Sequence, residues 1–199
     1  IEPLMPIRRR ILNPFSTLKW VPYTISVANE FYSSDEMRAE LLIPQDAFVC
    51  IAIGGKKQFD ISWVKQLVQK KLEEENNFYF VGVNIEPFSQ HKRSRFLGPI
   101  FDEKYKYSLM KCANLYLHGR ALGESYGLGI LEAMQLEIPI LSWKRGRDRN
   151  HLYLLDSENF YRNSDDLKYK LQEEYLTYSA ESIQRNKVRA DGFQPEKVM

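Results

Sequence analysis

The chain has 199 residues, room for one large domain or two small ones, and its 44% hydrophobic and 27% charged content is ordinary for a soluble globular protein. Lysine and arginine total 28 against 26 acids, a net charge of +2, so bulk charge gives no argument for nucleic-acid binding. No run of eighteen apolar residues suits a membrane span and no signal-peptide layout opens the chain. Cys50 and Cys112 lie in or beside apolar runs without a C-x-x-C, and three scattered histidines make no zinc pattern; buried free thiols in a reducing compartment are expected.

Residues 1–44 are broken by Pro3, Pro6, Pro14, Pro22 and Pro44. Within them Arg8-Arg9-Arg10 reads as a solvated charge run, Trp20 to Ile25 as a short edge strand and Ser34 to Leu42 as a short capped helix. Ala47 to Ile53 is continuously apolar, the pattern of a strand buried on both faces. Gly54-Gly55-Lys56-Lys57 ends it. Phe59 to Glu75 follows, with Ile61, Val64, Leu67, Val68 and Leu72 at helical spacing and Asp60 or Ser62 as the expected cap. Phe78 to Val83 is the next strand, which completes a βαβ unit. Asn84 to Arg95 is polar, with His91 to Arg95 predicted to lie at the surface. Phe101-Asp102 to Lys111 reads as a helix with Tyr105, Leu109 and Cys112 inward. Further strands are expected at Asn114 to Leu117, Ile138 to Trp143 and Phe160-Tyr161, with a helix over Leu128 to Leu136 and another from Asp165 carrying Leu167, Leu171, Tyr175 and Tyr178. Ala180 to Met199 is charged and weakly periodic. At least four strand–helix alternations predict an α/β domain with a parallel sheet.

The chemistry concentrates between His118 and Pro139. An apolar run ends at His118 and Arg120, a turn follows at Gly123-Glu124-Ser125-Tyr126-Gly127, and an amphipathic segment then carries Glu132 about two turns in. A strand–loop–helix junction offers unpaired N–H groups and the positive end of a helix dipole, which suits phosphate, and glycine lets the backbone approach it. Two acids beside such a place imply ligand hydroxyls, as on a sugar and a ribose either side of a diphosphate. Taken singly, Glu124 also fits a helix-start acid and Glu132 a solvated helix face. The glycine turn at Gly54-Gly55 with Lys56 and Lys57 is a second phosphate candidate. Lys144 to His151 forms a basic loop at the end of a strand, where Arg147 and Asn150 would touch donor phosphate or acceptor, or lie in solvent. No dinucleotide fingerprint and no Walker-type loop occurs.

Glu124-Ser-Tyr-Gly-Leu-Gly-Ile-Leu-Glu132-Ala-Met, with Pro139 beyond, resembles the E-x7-E signature of retaining glycosyltransferases of family 4 and their GT-B relatives, and His118-x-Arg120-x-x-Gly123-Glu124 resembles a subgroup with H-x-R-x-x-G-E. The resemblance implies a Rossmann-like parallel sheet with helices on both faces, the C-terminal half of a GT-B enzyme. Residues 1–43 would lead from a preceding acceptor domain, 44–180 would form the nucleotide-sugar domain, and 181–199 a tail or crossover helix relying on that other domain for order. It implies a retaining, metal-independent transfer from a UDP-, GDP- or ADP-sugar to a glycan, lipid or protein acceptor, with no further cofactor. Glu124 would contact the donor sugar and Glu132 the ribose. Backbone at Ser125, Tyr126, Gly127 and Leu128, with Gly54, Gly55 and Lys56 or Lys57, would hold the diphosphate. Phe96-Leu97-Gly98-Pro99-Ile100 resembles the family's short strand and loop and would line the base, Ile100 through its backbone, and Arg120 would pair with phosphate or Glu124. The usual G-R-x-x-x-x-K-G after the first strand is absent. A cytoplasmic location follows, with peripheral membrane contact left open. A non-catalytic binding or scaffold domain and a sugar-nucleotide epimerase are the alternatives.

Overall fold

The structure, a computed structural model, describes residues 25, 27, 30–172 and 180–194. The Arg8–Arg10 run, most of the strand expected before Ile25, and Tyr175 and Tyr178 lie outside the described residues. The elements run α1 (Ser34–Glu40), β1 (Phe48–Ile53), α2 (Ser62–Glu74), β2 (Phe78–Val83), β3 (Ser94–Leu97), α3 (Glu103–Lys111) and β4 (Leu115–His118). They continue with β5 (Gly123–Glu124), α4 (Leu128–Gln135), β6 (Ile140–Trp143), β7 (Asp148–Arg149), α5 (His151–Leu154), β8 (Phe160–Tyr161), α6 (Ser164–Lys170) and α7 (Ala180–Ala190). Six strands form one sheet in the order β3-β2-β1-β4-β6-β8, and every pairing in it is parallel.

The continuous apolar runs become central strands because both their faces are covered. Val49 and Ile51 of β1 join Val81, Tyr116, Ile140 and Phe160 in a core closed by α1, α3 and α4, while Phe48, Cys50 and Ala52 join Phe80, Leu115, Leu117, Leu141 and Tyr161 under α2 and α6. The alternation along each strand sorts its side chains between the two cores. Cys50 and Cys112 are buried free thiols, as expected. Among the described residues no helix is long and apolar enough to cross a membrane.

Several expectations are corrected. Neither Asp60 nor Ser62 caps α2; its N-cap is Ile61 without a side-chain bond, and Asp60 instead accepts from the Ala121 N–H at 2.7 Å. The short strand expected at Phe96-Leu97 begins two residues earlier, as the edge strand β3, and Arg93, expected at the surface, is buried, donating to the Leu72 carbonyl. In α3, Tyr107 is buried and Tyr105 only partly, because Tyr105 turns out to bond Glu40 at 2.8 Å. The capped helix α1 carries a reciprocal Ser33–Glu36 capping box, and its Arg38 is buried, donating to the carbonyls of Cys112 and Ala47. Helix α7 docks on this domain: Lys187 bonds the Gln135 carbonyl at 2.7 Å, and Arg185 and Arg189 bond Asp156 at 2.7 and 3.0 Å.

Candidate functional site

Sheet order reverses direction between β1 and β4, the central neighbours from which the chain winds outward both ways. In open α/β sheets such a switch point opens a crevice at the carboxyl ends of the strands. The loop after β1 carries Gly54 to Lys57, and the loop after β4 carries Arg120 to Gly127, so the fold brings both phosphate candidates to this edge. Tyr116 on β4 ties the two sides, its hydroxyl donating to the Ile53 carbonyl at 3.1 Å.

The loop after β1 is a short turn. The Gly54 N–H donates to the Val83 carbonyl at 3.2 Å and the Gly55 N–H to Oε1 of Gln58 at 2.8 Å. Both glycine N–H groups are thus engaged, which leaves the ammonium groups of the exposed Lys56 and Lys57 as the donors this turn offers to solvent. Gln58 escaped the sequence reading because a glutamine three residues past a glycine carries no periodic signal.

The loop after β4 is more elaborate. Gly123 and Glu124 form β5, which pairs in parallel with β7, and flanking bonds run from Asp148 N–H to Leu122 O at 2.8 Å and from Asn150 N–H to Glu124 O at 2.9 Å. Gly123 has φ +75°, and a Cβ there would overlap the Asp148 carbonyl, so only glycine permits the close pairing. The basic loop of residues 144–149 is therefore bound along the Glu124 turn. Lys144, Arg145, Arg147 and Arg149 are exposed, and the Asn150 side chain donates to the Ser125 carbonyl.

Helix α4 begins at Leu128 behind Gly127, whose φ of +95° provides the entry turn without a side-chain cap. No side-chain cap bond is made at the amino end of α4, the condition under which its first N–H groups suit an anion. Ser125 and Leu128 are exposed at this end, Tyr126 is partly buried and Gly127 is buried. Glu132 lies just over one turn into α4 rather than the two expected, because the preceding residues form β5 and the glycine turn instead of helix. Ile100 lies partly buried in the loop between β3 and α3.

Both glutamates have protein partners. Glu132 Oε1 accepts from Lys106 Nζ at 2.7 Å and from the Tyr107 hydroxyl at 3.4 Å. Glu124 Oε1 meets His118 Nε2 at 3.0 Å, and Oε2 meets Arg120 at 3.4 Å, so Arg120 takes the Glu124 pairing foreseen for it. A carboxylate offers about four acceptor sites, so these bonds leave capacity for ligand hydroxyls. Burial pushes the Tyr116 hydroxyl far up, and the charges of Glu124 and then Glu132 add to the shift.

Beneath Glu124 lies a buried polar layer. His118 Nδ1 stands 2.8 Å from Ser142 Oγ, and the Tyr161 hydroxyl donates to the His118 carbonyl at 2.7 Å. His151 Nε2 donates to the Trp143 carbonyl at 3.0 Å, which leaves Nδ1 bare to accept the Glu124 N–H at 3.3 Å. Burial, then the neighbouring charge on His118, lowers the His151 pKa to about 4, so this ring is neutral at ordinary pH. Lys106, Ser142 and His151 were outside the predicted site. Only His151 could have been found from sequence, as the last residue of the basic loop that follows a strand. Among the described residues, no group of three or more histidine, cysteine or acidic side chains is arranged to hold a metal ion.

No protein-family model and no curated protein sequence matches the chain. Solved structures do match. WaaG, a glycosyltransferase involved in lipopolysaccharide biosynthesis, superposes with a TM-score of 0.65 at 16% identity, over 86% of this chain and 51% of its own. HepE of Anabaena, solved in complex with UDP-glucose, gives 0.62 at 16% identity over 83% and 50%. The C-terminal domain of LpcC, a glycosyl transferase group 1 family protein of Francisella tularensis, gives 0.60 at 14% identity over 90% and 97%. The chain spans about half the length of the first two and nearly all of the third. The fold is that of the GT-B glycosyltransferases. At these identities the likeness is one of fold.

Proposed function

We propose that this chain is the donor-binding half of a retaining glycosyltransferase that moves a sugar from a nucleotide-sugar to a glycan, lipid or protein acceptor held by a second domain. The observation that carries the reading is the placement of Glu124 and Glu132 on either side of the uncapped start of α4, at the switch point of the sheet. The similarity to HepE solved with UDP-glucose, and to the pneumococcal GtfA solved with UDP and GlcNAc, supports a nucleotide-sugar as donor. UDP-, GDP- and ADP-sugars all fit the charge pattern.

On this reading Glu132 accepts hydrogen bonds from the ribose and Glu124 from the sugar. The bond from the anomeric carbon to the diphosphate oxygen breaks and its electron pair leaves with the diphosphate. Backbone N–H groups from Ser125 to Leu128 and the ammonium groups of Lys56 or Lys57 stabilise that charge, an electrostatic role needing no metal of its own. The acceptor oxygen bonds the same face of the anomeric carbon, and its proton passes to the departing diphosphate. Arg120 steadies Glu124, and Ile100 would face the base through its backbone.

The test is paired calorimetry on Glu124→Gln and Glu132→Gln with UDP, GDP, ADP and their glucose conjugates. Glu132→Gln removes charge-assisted bonds worth about 1.5–3 kcal/mol and should lower diphosphate affinity about tenfold or more. Glu124→Gln should weaken only the sugar-bearing donor. Equal, negligible effects from both substitutions would overturn the assignment.

A further inference from the structure

The polar layer under Glu124 is more constrained than a buried histidine requires. His118 is the last residue of β4 and its side chain is 6% exposed. Both ring nitrogens have side-chain partners, Ser142 at 2.8 Å and Glu124 at 3.0 Å. Its carbonyl is fixed by the Tyr161 hydroxyl, and β4 pairs with β6 so that His118 stands directly opposite Ser142. The strand register therefore sets the ring. Only the sequence Ser142–His118–Glu124 resembles a nucleophilic triad. Ser142 is fully buried, so no substrate atom reaches its hydroxyl. The chain of bonds leads the other way, and its outer end is the Glu124 carboxylate, whose side chain is 18% exposed.

Donor and acceptor roles follow from the chemistry of the partners. An ionised carboxylate only accepts, so the bond to Glu124 requires a proton on Nε2. A neutral ring then has a bare Nδ1, which accepts the Ser142 hydroxyl proton. The neighbouring His151 is fixed in the same tautomer by the Trp143 carbonyl and receives the Glu124 N–H. One histidine thus holds the side chain of Glu124 and the other its backbone. Arg120 lies on the same carboxylate at 3.4 Å with partial exposure, a looser hold than the buried imidazole.

We infer that His118, oriented by Ser142, is a positioning residue that aims the Glu124 carboxylate into the crevice and so sets how strongly the sugar part of a nucleotide-sugar is held. The inference rests on the proposed contact between Glu124 and the donor sugar. A single buried donor fixes the carboxylate in one orientation, so its remaining acceptor sites meet sugar hydroxyls without first losing rotamer freedom. Removing the imidazole leaves Glu124 held only by Arg120 and opens a void beside Ser142. The expected consequence falls on the sugar increment, the ratio of affinities for a nucleotide-sugar and its bare diphosphate, and not on fold or diphosphate binding as such.

Two measurements on the whole chain test this. Imidazole nitrogen NMR of the unliganded protein should show the His118 proton on Nε2, and that signal should shift in Glu124→Gln. A neutral ring with its proton on Nδ1 would overturn the inference without reference to any ligand. Calorimetry with UDP, GDP and ADP and their glucose conjugates should then show the sugar increment falling about tenfold in His118→Ala, the size expected for one charge-assisted bond. His118→Gln retains a side-chain N–H of similar reach and should recover most of it, and Ser142→Ala should give a smaller loss of the same kind. A loss in Glu124→Gln with none in His118→Ala overturns the positioning role alone. Equal losses in His118→Ala and His118→Gln also overturn it, as does a uniform loss for diphosphate and sugar conjugate. Identical donor affinities in the wild-type chain and Glu124→Gln would overturn the reading of Glu124 itself, and the inference with it.

Discussion

The loops that follow β1 and β4 leave the same edge of the sheet from neighbouring strands, yet they are built on opposite plans. The first is a short turn closed by its own Gln58, with its charged residues, Lys56 and Lys57, out in solvent. The second is braced from outside: β7 pairs along it, Asn150 and His151 bond it, and its acid is held by a buried histidine. The difference teaches where geometry is fixed and where charge is merely supplied. On the proposed reading, a diffuse phosphate charge tolerates exposed lysines, whereas hydroxyl recognition needs an acceptor held in one orientation.

The contrast is broken most severely at the glycines. Gly123→Ala should cost about 3 kcal/mol or more, because the residue must keep φ +75° and its new methyl overlaps the Asp148 carbonyl. In Gly54→Ala the nearest atom to the new methyl is Gln58 Cβ at 3.3 Å, with Ile85 at an ordinary 3.7 Å, and the change should cost less than about 1 kcal/mol. Urea melts of the two variants check the pair.

Next in size is the pH response of the braced loop. The folded pKa of His151 lies near 4 and the unfolded value near 6.5, so the unfolded chain binds the extra proton across that window. Stability therefore rises with pH from about 4 to 6.5, and this residue's contribution, about 3 kcal/mol, is lost as pH falls to about 4. Urea melts between pH 4 and 7 on wild type and His151→Gln should differ by that slope, since other acid-sensitive groups are common to both.

A smaller effect belongs to Glu132, whose brace comes from the far side of α4. Lys106→Met leaves the carboxylate largely buried with the Tyr107 hydroxyl as its remaining partner here, and should lower stability by about 1–2 kcal/mol. Lys106→Arg, which keeps the charge, should recover most of it in the same thermal melts. The smallest effect is expected in the first loop: Lys56→Ala and Lys57→Ala should each shift stability by no more than about 0.5 kcal/mol. Their effect should appear instead in salt-dependent diphosphate affinity, measured by titration at two ionic strengths.

What was legible in the sequence divides along the same line. The strands β1, β2 and β4 are visible as apolar runs because a strand covered on both faces needs apolar residues at every position. Helices α2, α3 and α4 are visible by spacing. The strands β5 and β7 are invisible, since two-residue pairings have no period, and β3 is legible only at Phe96-Leu97, because its first half, Ser94-Arg95, carries the polar, partly exposed residues of an edge strand. The acids Glu124 and Glu132 stand out through their spacing about a glycine turn. Lys106 and His118, which hold them, and Ser142 behind His118 come from three other elements, and no pattern within one element can announce a contact that only sheet register and helix docking create. The buried Arg38 and Arg93 were unreadable for a similar reason. Each satisfies carbonyls from distant turns, so its burial is a property of the assembled fold.

The two free cysteines turn the fold into its own clock. Cys50 sits at the centre of β1 with no exposed surface, and burial pushes its thiol far up; Cys112, at the end of α3 under α1, is pushed up to about 11. Neither forms a reactive thiolate in the native state. Alkylation must wait for an opening, and the two sites report different ones. Cys112 is released when α1 peels from α3, whereas Cys50 is released only when the sheet itself comes apart. The ratio of their labelling rates thus reads the cohesion of the leading helix against that of the central sheet, with no probe added to the protein.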